Sequence, residues 1–165
     1  MQKPSTNITI VGIDPGIADT GYGILKKQGS AILVLDYGSI KTPAGMPMPK
    51  RLHELHDSLT ELFKRHRPTV VVVEKLFFAR NVTTAMTVGQ ARGVALLVAA
   101  QFSCDVIELT PMQIKQGLTS YGKASKRQMQ HMVKAVLKLK TIPRPDDAAD
   151  ALAAALCGLT LRHSR

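Results

Sequence analysis

Four consecutive valines, from Val70 to Val73, are followed directly by an acid, Glu74. Valine is β-branched and favours strands, but a half-exposed strand would alternate apolar with polar side chains. This run is too continuous for that alternation. It therefore predicts an interior strand that is buried on both faces and parallel to a neighbour, with Glu74 at its C-terminal end.

The segments around this strand predict the rest of the fold. Three strands joined by short turns favour an antiparallel meander before the valine strand, and a further strand follows it. Helices are predicted between and after these strands from leucine spacing, small residues and Pro breaks. The strands are predicted at residues 8–13, 20–26, 31–40, 69–74 and 104–109, and the helices at 52–63, 83–102, 111–118, 125–138 and 147–161. This order predicts an α/β fold with a mixed sheet flanked by helices, as in ribonuclease H-like domains.

Length and composition limit the remaining possibilities. A chain of 165 residues with 45% hydrophobic and 21% charged residues fits one globular domain spanning residues 1–165. The two cysteines, Cys104 and Cys157, indicate neither a disulfide framework nor a zinc site. The N-terminus lacks a signal-peptide pattern, and the longest apolar run, residues 94–100, is short for a membrane span. We therefore expect a soluble, cytoplasmic protein without a membrane partner.

The charge pattern favours a polyanionic partner. The chain has 22 Lys and Arg against 12 Asp and Glu, a formal net charge of +10. A merely soluble basic protein would explain the total equally well. However, residues 109–145 contain eight basic residues and no acid, whereas the rest of the chain mixes signs. This block predicts a phosphate-facing surface, and hence binding to nucleic acid.

Two acids are predicted at strand ends. Asp14 follows the first strand and precedes Pro15-Gly16, which turns the chain sharply. An ordinary turn aspartate is the competing interpretation, since Asp often begins turns. Glu74 ends the valine strand and needs solvent or a positive partner. Its neighbour Lys75 should project to the opposite face, so a metal ion is a reasonable partner.

Two further acids, Asp147 and Asp150, lie three residues apart, so on a helix their carboxylates share a face. Aspartates in a first helical turn can simply stabilise the helix dipole, which explains Asp147 better than Asp150. The apolar residues around Asp150 indicate that its face packs inward, where an acid needs compensation.

The four acids Asp14, Glu74, Asp147 and Asp150 together suit phosphodiester hydrolysis. Two divalent ions roughly 3.5–4 Å apart can activate a water and stabilise the leaving oxygen. Hard cations prefer oxygen ligands, so Mg²⁺ is the expected cofactor, with Mn²⁺ also plausible and two ions in each site. Without metal, the acids should repel one another and shift towards protonation.

Four segments carry a family resemblance: IVGIDPG with Asp14, VVVVEKLFFARN with Glu74, GQARGVA from Gly89, and DAADALA from Asp147. They occur in order over nearly the whole chain, and together they are specific. The chain resembles the RuvC family of bacterial crossover junction endodeoxyribonucleases. The resemblance implies a homodimeric, Mg²⁺-dependent nuclease that nicks two opposing strands of a four-way (Holliday) junction, cooperating with a branch-migration complex in DNA recombination and repair.

The resemblance also assigns roles to individual residues. The four acids fall on the family's metal-binding positions, and Lys126 and Lys115 fall on lysines used near the scissile phosphate, with Lys126 the stronger candidate. Nonspecific phosphate attraction is the alternative role for such lysines. Phe77 matches an aromatic position placed against unstacked bases, although a core phenylalanine is more common. The predicted DNA-binding set is Phe77, Arg80, Asn81, Lys115, Lys123, Lys126 and Arg127.

Other functions are still open. An ATP-using actin-like or sugar-kinase fold begins with a similar turn, but it needs two lobes and 165 residues provide one. A protein that binds branched DNA without cutting it would need only the basic block, but four acids on a DNA-facing surface would weaken its binding. A nuclease of the same fold acting on flaps, forks or RNA-containing duplexes is a third possibility.

Overall fold

Five strands form one sheet in the computed structural model, which describes residues 7–75 and 82–163. The strands in chain order are β1 (Ile8–Asp14), β2 (Asp19–Gln28), β3 (Ala31–Lys41), β4 (Val70–Glu74) and β5 (Asp105–Leu109). Their order across the sheet is β3-β2-β1-β4-β5. Strand β2 is antiparallel to both β1 and β3, whereas β4 is parallel to both β1 and β5. The predicted mixed sheet is confirmed.

The helices are α1 (Met48–His66), α2 (Val82–Gln101), α3 (Pro111–Thr119), α4 (Lys126–Val136) and α5 (Asp146–His163). Two of them begin with reciprocal capping. Thr110 accepts a hydrogen bond from the Gln113 backbone, and Ser125 accepts one from the Gln128 backbone, while both glutamine side chains bond back to the cap residue's N–H. This arrangement satisfies donors that a helix start leaves unpaired, and it confirms the predicted Ser125 cap.

Both faces of the sheet are covered. Val71 and Val73 pack with α1 and α2 on one face, and Val70 and Val72 pack with α3, α4 and α5 on the other. All four valine side chains are fully buried, as the unbroken run predicted. All described elements pack around this sheet, in agreement with the single domain over residues 1–165, which stays a prediction.

Helix α2 is the one helix in residues 7–75 and 82–163 whose length and composition would allow it to cross a membrane. Ala91, Ala95, Val98 and Ala99 are buried against the sheet. Arg92 of α2 forms an ion pair with Glu108 of β5. A core helix passes the same length and hydropathy test, but only 22% of the apolar segment of α2 is buried, so the rest of the described chain leaves most of this helix uncovered.

Helix α5 lies unusually close to β1 and β2. A Cβ atom at Gly21 would stand closer than 3.0 Å to the Asp147 carbonyl oxygen, and one at Gly12 would be equally close to that of Ala151. Real Cβ atoms essentially never make such contacts. Because glycine has no Cβ, the first turns of α5 can rest directly on the strands.

The close contact predicts a specific sensitivity to one methyl group. Gly21→Ala should lower the free energy of unfolding by about 1–3 kcal/mol, because backbone atoms of α5 must move away from the added carbon. Chemical denaturation measures this change. Gly45→Ala is the matched control, since an added Cβ there meets nothing within 4 Å. Equal stability of both variants would contradict the close contact.

Candidate active site

The predicted acids converge at one end of the sheet. Asp14 ends β1 and Glu74 ends β4, and these strands are adjacent and parallel with Ile13 paired to Val73, so their last residues lie at the same edge. Asp147 and Asp150 reach this edge from the start of α5. One carboxylate oxygen each from Asp14, Asp147 and Asp150 lies within 4.8 Å of the others.

Glu74 lies beside this three-acid group. It borders a cavity of about 220 Å³ together with Asp150, Lys115 and Lys126. The negative charge of Asp150 contributes to the raised pKa of Glu74, as expected for two neighbouring carboxylates. The structure therefore brings together all four acids predicted from the sequence.

Burial and mutual repulsion change the acidity of the group. Burial, with the nearby charges of Asp150, Glu74 and Asp147, raises the pKa of Asp14 from its ordinary 3.8 to about 8, although Lys126 opposes the shift. A carboxyl in this position holds its proton near neutral pH when no cation is present. The expected shift towards protonation is thus found at the centre of the group.

Two other acids shift in the same direction. Burial, followed by Asp150, raises the pKa of Glu74, whereas Lys115 lowers it. Burial, followed by the charge of Asp19, raises the pKa of Asp147. An arrangement that favours protonation of several acids has too little positive charge nearby, and a bound cation would supply more.

The three-acid group fits a hard divalent cation. Two oxygens that bind the same Mg²⁺ lie at most roughly 4.2 Å apart, and the larger Ca²⁺ allows about 5 Å. The three oxygens are already within 4.8 Å of one another, so small side-chain rotations suffice. The group could therefore hold a metal ion through oxygen ligands alone.

Lys126 begins α4 at the edge of this group. Its Nζ lies 3.2 Å from Asp150 Oδ2 and 3.6 Å from Asp146 Oδ2. Burial lowers the pKa of Lys126, but Asp150, Asp146 and Asp147 together raise it above its ordinary value. The ammonium group is therefore held charged next to the acids.

Three of the other predicted DNA-contacting residues, Lys115, Lys123 and Arg127, are among the described residues. Lys115 and Lys123 border an open groove of about 700 Å³, which also includes the exposed side chains of Met112 and Tyr121. Arg127 is exposed in the first turn of α4. The remaining three, Phe77, Arg80 and Asn81, lie outside the described residues.

The sequence interpretation missed the residues that fix the loop after Asp14. Arg51 is only 8% exposed. Its Nη2 donates to the carbonyl oxygens of Ile17 at 3.2 Å and Thr42 at 3.1 Å, and its Nε donates to Thr42 Oγ1 at 2.9 Å. Thr42 Oγ1 also donates to Ile17. The available signal was that Arg51 lies beside the leucines on the inward face of α1. The residues that it contacts are not apparent from sequence spacing.

Comparisons with known proteins agree with this geometry. The profile of the family "Crossover junction endodeoxyribonuclease RuvC" matches residues 10–158. A protein of that name from Rubrobacter xylanophilus is 55% identical over 157 residues, covering 95% of this chain and 88% of the relative. A second, from Brevibacillus brevis, is 52% identical and covers 94% of this chain and 91% of the relative.

The chain belongs to the RuvC family. Its enzymatic class is therefore that of the crossover junction endodeoxyribonucleases, and the predicted resemblance is confirmed. Thermus thermophilus RuvC superimposes with a TM-score of 0.88 at 36% identity, covering 95% of this chain and 96% of the other. The same protein in complex with a Holliday junction substrate gives a TM-score of 0.87 at 34% identity, with the same coverage.

A more distant structure extends the fold comparison. The yeast mitochondrial Holliday junction resolvase Ydc2 superimposes with a TM-score of 0.67 at 16% identity, covering 99% of this chain and 84% of the other. At this identity the similarity concerns the fold alone. It agrees with the ribonuclease H-like architecture predicted from the sequence.

The raised pKa of Asp14 predicts a pH-dependent stability of the metal-free protein. The folded state keeps this proton up to about pH 8, whereas an unfolded aspartate loses it near pH 4, so stability should fall as the pH rises between these values. Asp14→Asn removes the free-energy cost of ionising this buried carboxyl. In chelator at about pH 8, the variant should exceed the parent protein by roughly 1–3 kcal/mol in unfolding free energy, and the gain should disappear by about pH 4.

Thermal and chemical denaturation across this pH range measure the difference. Asp105→Asn, at the opposite end of β5, is a control that should show no such pH-dependent gain. Adding Mg²⁺ should stabilise the parent protein and leave Asp14→Asn unchanged. An Asp14→Asn protein less stable than the parent in chelator at about pH 8 would contradict the electrostatic account.

Proposed function

We propose that this protein resolves four-way DNA junctions by metal-dependent hydrolysis of one phosphodiester in each of two opposing strands, during recombination and repair. The observation that carries the proposal is the convergence of Asp14, Asp147 and Asp150 within 4.8 Å, with Glu74 beside them. Membership of the RuvC family supports the reaction class. The similarity to a RuvC in complex with a Holliday junction substrate supports the choice of DNA structure.

The proposed cofactor is Mg²⁺, with Mn²⁺ as a substitute and two ions in each site. Asp14, Glu74, Asp147 and Asp150 would hold these ions. When bound, two such ions supply an activated water and stabilise the charge on the leaving oxygen. Oxygen-only ligands and the raised pKa values of three of the acids support a hard cation at this position.

The protein's own side chains position and stabilise the DNA strand. Lys126, beside Asp150, is proposed to place its ammonium group against the charge that develops on the scissile phosphate. Lys115 borders the same cavity from α3 and is proposed to contact the neighbouring backbone. The loop after Asp14 is fixed by Arg51, which helps to keep that carboxylate at one position.

The proposed DNA surface extends from the acids along the basic block. Lys123 and Arg127 are exposed beside the site, and the groove with Tyr121 and Met112 offers apolar surface to an unstacked base. Phe77, Arg80 and Asn81 stay predicted contacts. A DNA backbone that reaches the four acids would also run along the basic block, which explains why the two lie side by side.

The proposed assembly is a homodimer through α2. Val82, Met86 and Leu97 on this helix are exposed apolar side chains, and Gly93 leaves open space where a Cβ would stand. An exposed apolar face with room for close backbone approach suits a two-fold interface. Two sites at a fixed separation would explain cutting of opposing strands.

Cooperation with a branch-migration complex and a cytoplasmic location are part of the same proposal.

A labelled synthetic junction tests the reaction. With Mg²⁺, the protein should make paired nicks in the junction and leave its linear duplex arms intact. Asp14→Asn should lower the rate by at least about 10³-fold, because metal-assisted charge stabilisation is worth several kcal/mol. Its junction affinity should not fall. Asp105→Asn should cleave like the parent protein.

Each other outcome identifies an alternative. Tight junction binding without cleavage under any metal would indicate a non-cleaving branched-DNA-binding protein. Equal cutting of junctions, flaps and duplexes would keep the metal site and reject the junction selectivity. For the dimer, mixtures with excess Asp14→Asn should convert paired cuts into single nicks, whereas independent monomers would keep cutting in proportion to the active protein.

A further inference from the structure

Lys126 lies between two carboxylates, of which only Asp150 belongs to the three-acid group. We propose that the other, Asp146, is a positioning residue that keeps the Lys126 ammonium group at the active-site cavity during the reaction. This inference rests on the function proposed for Lys126. The distances from Lys126 Nζ are 3.2 Å to Asp150 Oδ2 and 3.6 Å to Asp146 Oδ2.

The two oxygens of Asp146 have different partners. Oδ1 accepts hydrogen bonds from Gln130 Nε2 at 3.1 Å and from Arg144 Nη1 at 2.5 Å. Oδ2 faces Lys126. Gln130 is only 8% exposed and lies one turn after Lys126 on α4. The carboxylate is therefore held in one orientation by the helix that also carries the lysine.

A second carboxylate matters because Asp150 has two competing partners. In the metal-free protein Asp150 pairs with Lys126, yet it also lies within the three-acid group that fits a cation. A cation bound there would compete with Lys126 for the negative charge of Asp150 and would repel the ammonium group. Asp146 is outside that group among the described residues. It continues to attract Lys126 when Asp150 is engaged.

Asp146 also has a simpler possible role. It is an acid in the first turn of α5, where it stabilises the helix dipole whatever Lys126 does. The two roles differ in one respect. Positioning requires Lys126 to be present, whereas a helix-dipole effect is independent of it.

Single-turnover cleavage and junction affinity, measured together, test the positioning role. Asp146→Asn should lower the cleavage rate constant roughly two- to fivefold, the size expected for a partly exposed ion pair. Junction affinity should be unchanged or tighter, because one negative charge near the DNA is removed. Asp105→Asn, which removes an acid paired with Arg162 at the far end of β5, should leave the rate unchanged. An unaltered rate in Asp146→Asn would overturn the proposal.

A double-mutant cycle with Lys126→Met separates the two roles of Asp146. In the Lys126→Met background, Asp146→Asn should change the rate by less than about 1.5-fold, since the group that it positions is gone. The same loss in both backgrounds would overturn the proposal in favour of the helix-dipole role. A parent protein that does not cleave junctions would instead reject the proposed function itself.

A readout without DNA decides the case if cleavage is too slow to measure. In the Mg²⁺-loaded protein, NMR of ¹³C-labelled lysine reports the motion of the Lys126 side chain. Asp146→Asn should increase the amplitude of this motion, and Asp105→Asn should not. Unchanged motion in Asp146→Asn would overturn the positioning role whether or not the protein is a nuclease.

Discussion

The close contact between α5 and the first two strands determines the rest of the site. Gly12 and Gly21 leave room for the helix backbone itself to lie against the sheet. Asp147 is the residue whose carbonyl meets Gly21, so the same contact that buries the helix also brings its acids to Asp14. Side chains larger than hydrogen would hold α5 farther away. The metal-binding geometry thus depends on the packing of the core.

The gathered acids oppose folding of the metal-free protein and favour binding of a cation. Burial and repulsion raise the pKa of Asp14 to about 8, and hydrogen bonds from Arg51 and Thr42 to Ile17 fix the adjoining loop in spite of that repulsion. Lys126 supplies a positive charge beside Asp150. It is a single, partly exposed ammonium group, which reduces the repulsion without removing it. The excess negative charge of the site is therefore the physical basis of the proposed metal dependence.

Much of the fold could be predicted because its signals are local. Four valines in succession indicate an interior parallel strand, and Ser125 before Lys126 indicates a helix start, without knowledge of distant residues. The strand-end acids were predictable for the same reason. The contacts of Arg51 with Ile17 and of Asp146 with Gln130 were not, because they join residues 34 and 16 positions apart. Such contacts depend on how the helices pack, which periodicity does not specify.

The central claim is that the four acids form one divalent-metal centre. A crystal structure of the protein grown with Mn²⁺, with anomalous diffraction recorded near the Mn absorption edge, tests it most directly. The account predicts anomalous density bounded by Asp14, Glu74, Asp147 and Asp150, with oxygen ligands at about 2.1–2.2 Å, and its loss in Asp14→Asn crystals. Ordered carboxylates without anomalous density at saturating Mn²⁺, or density bound elsewhere on the chain, would contradict it.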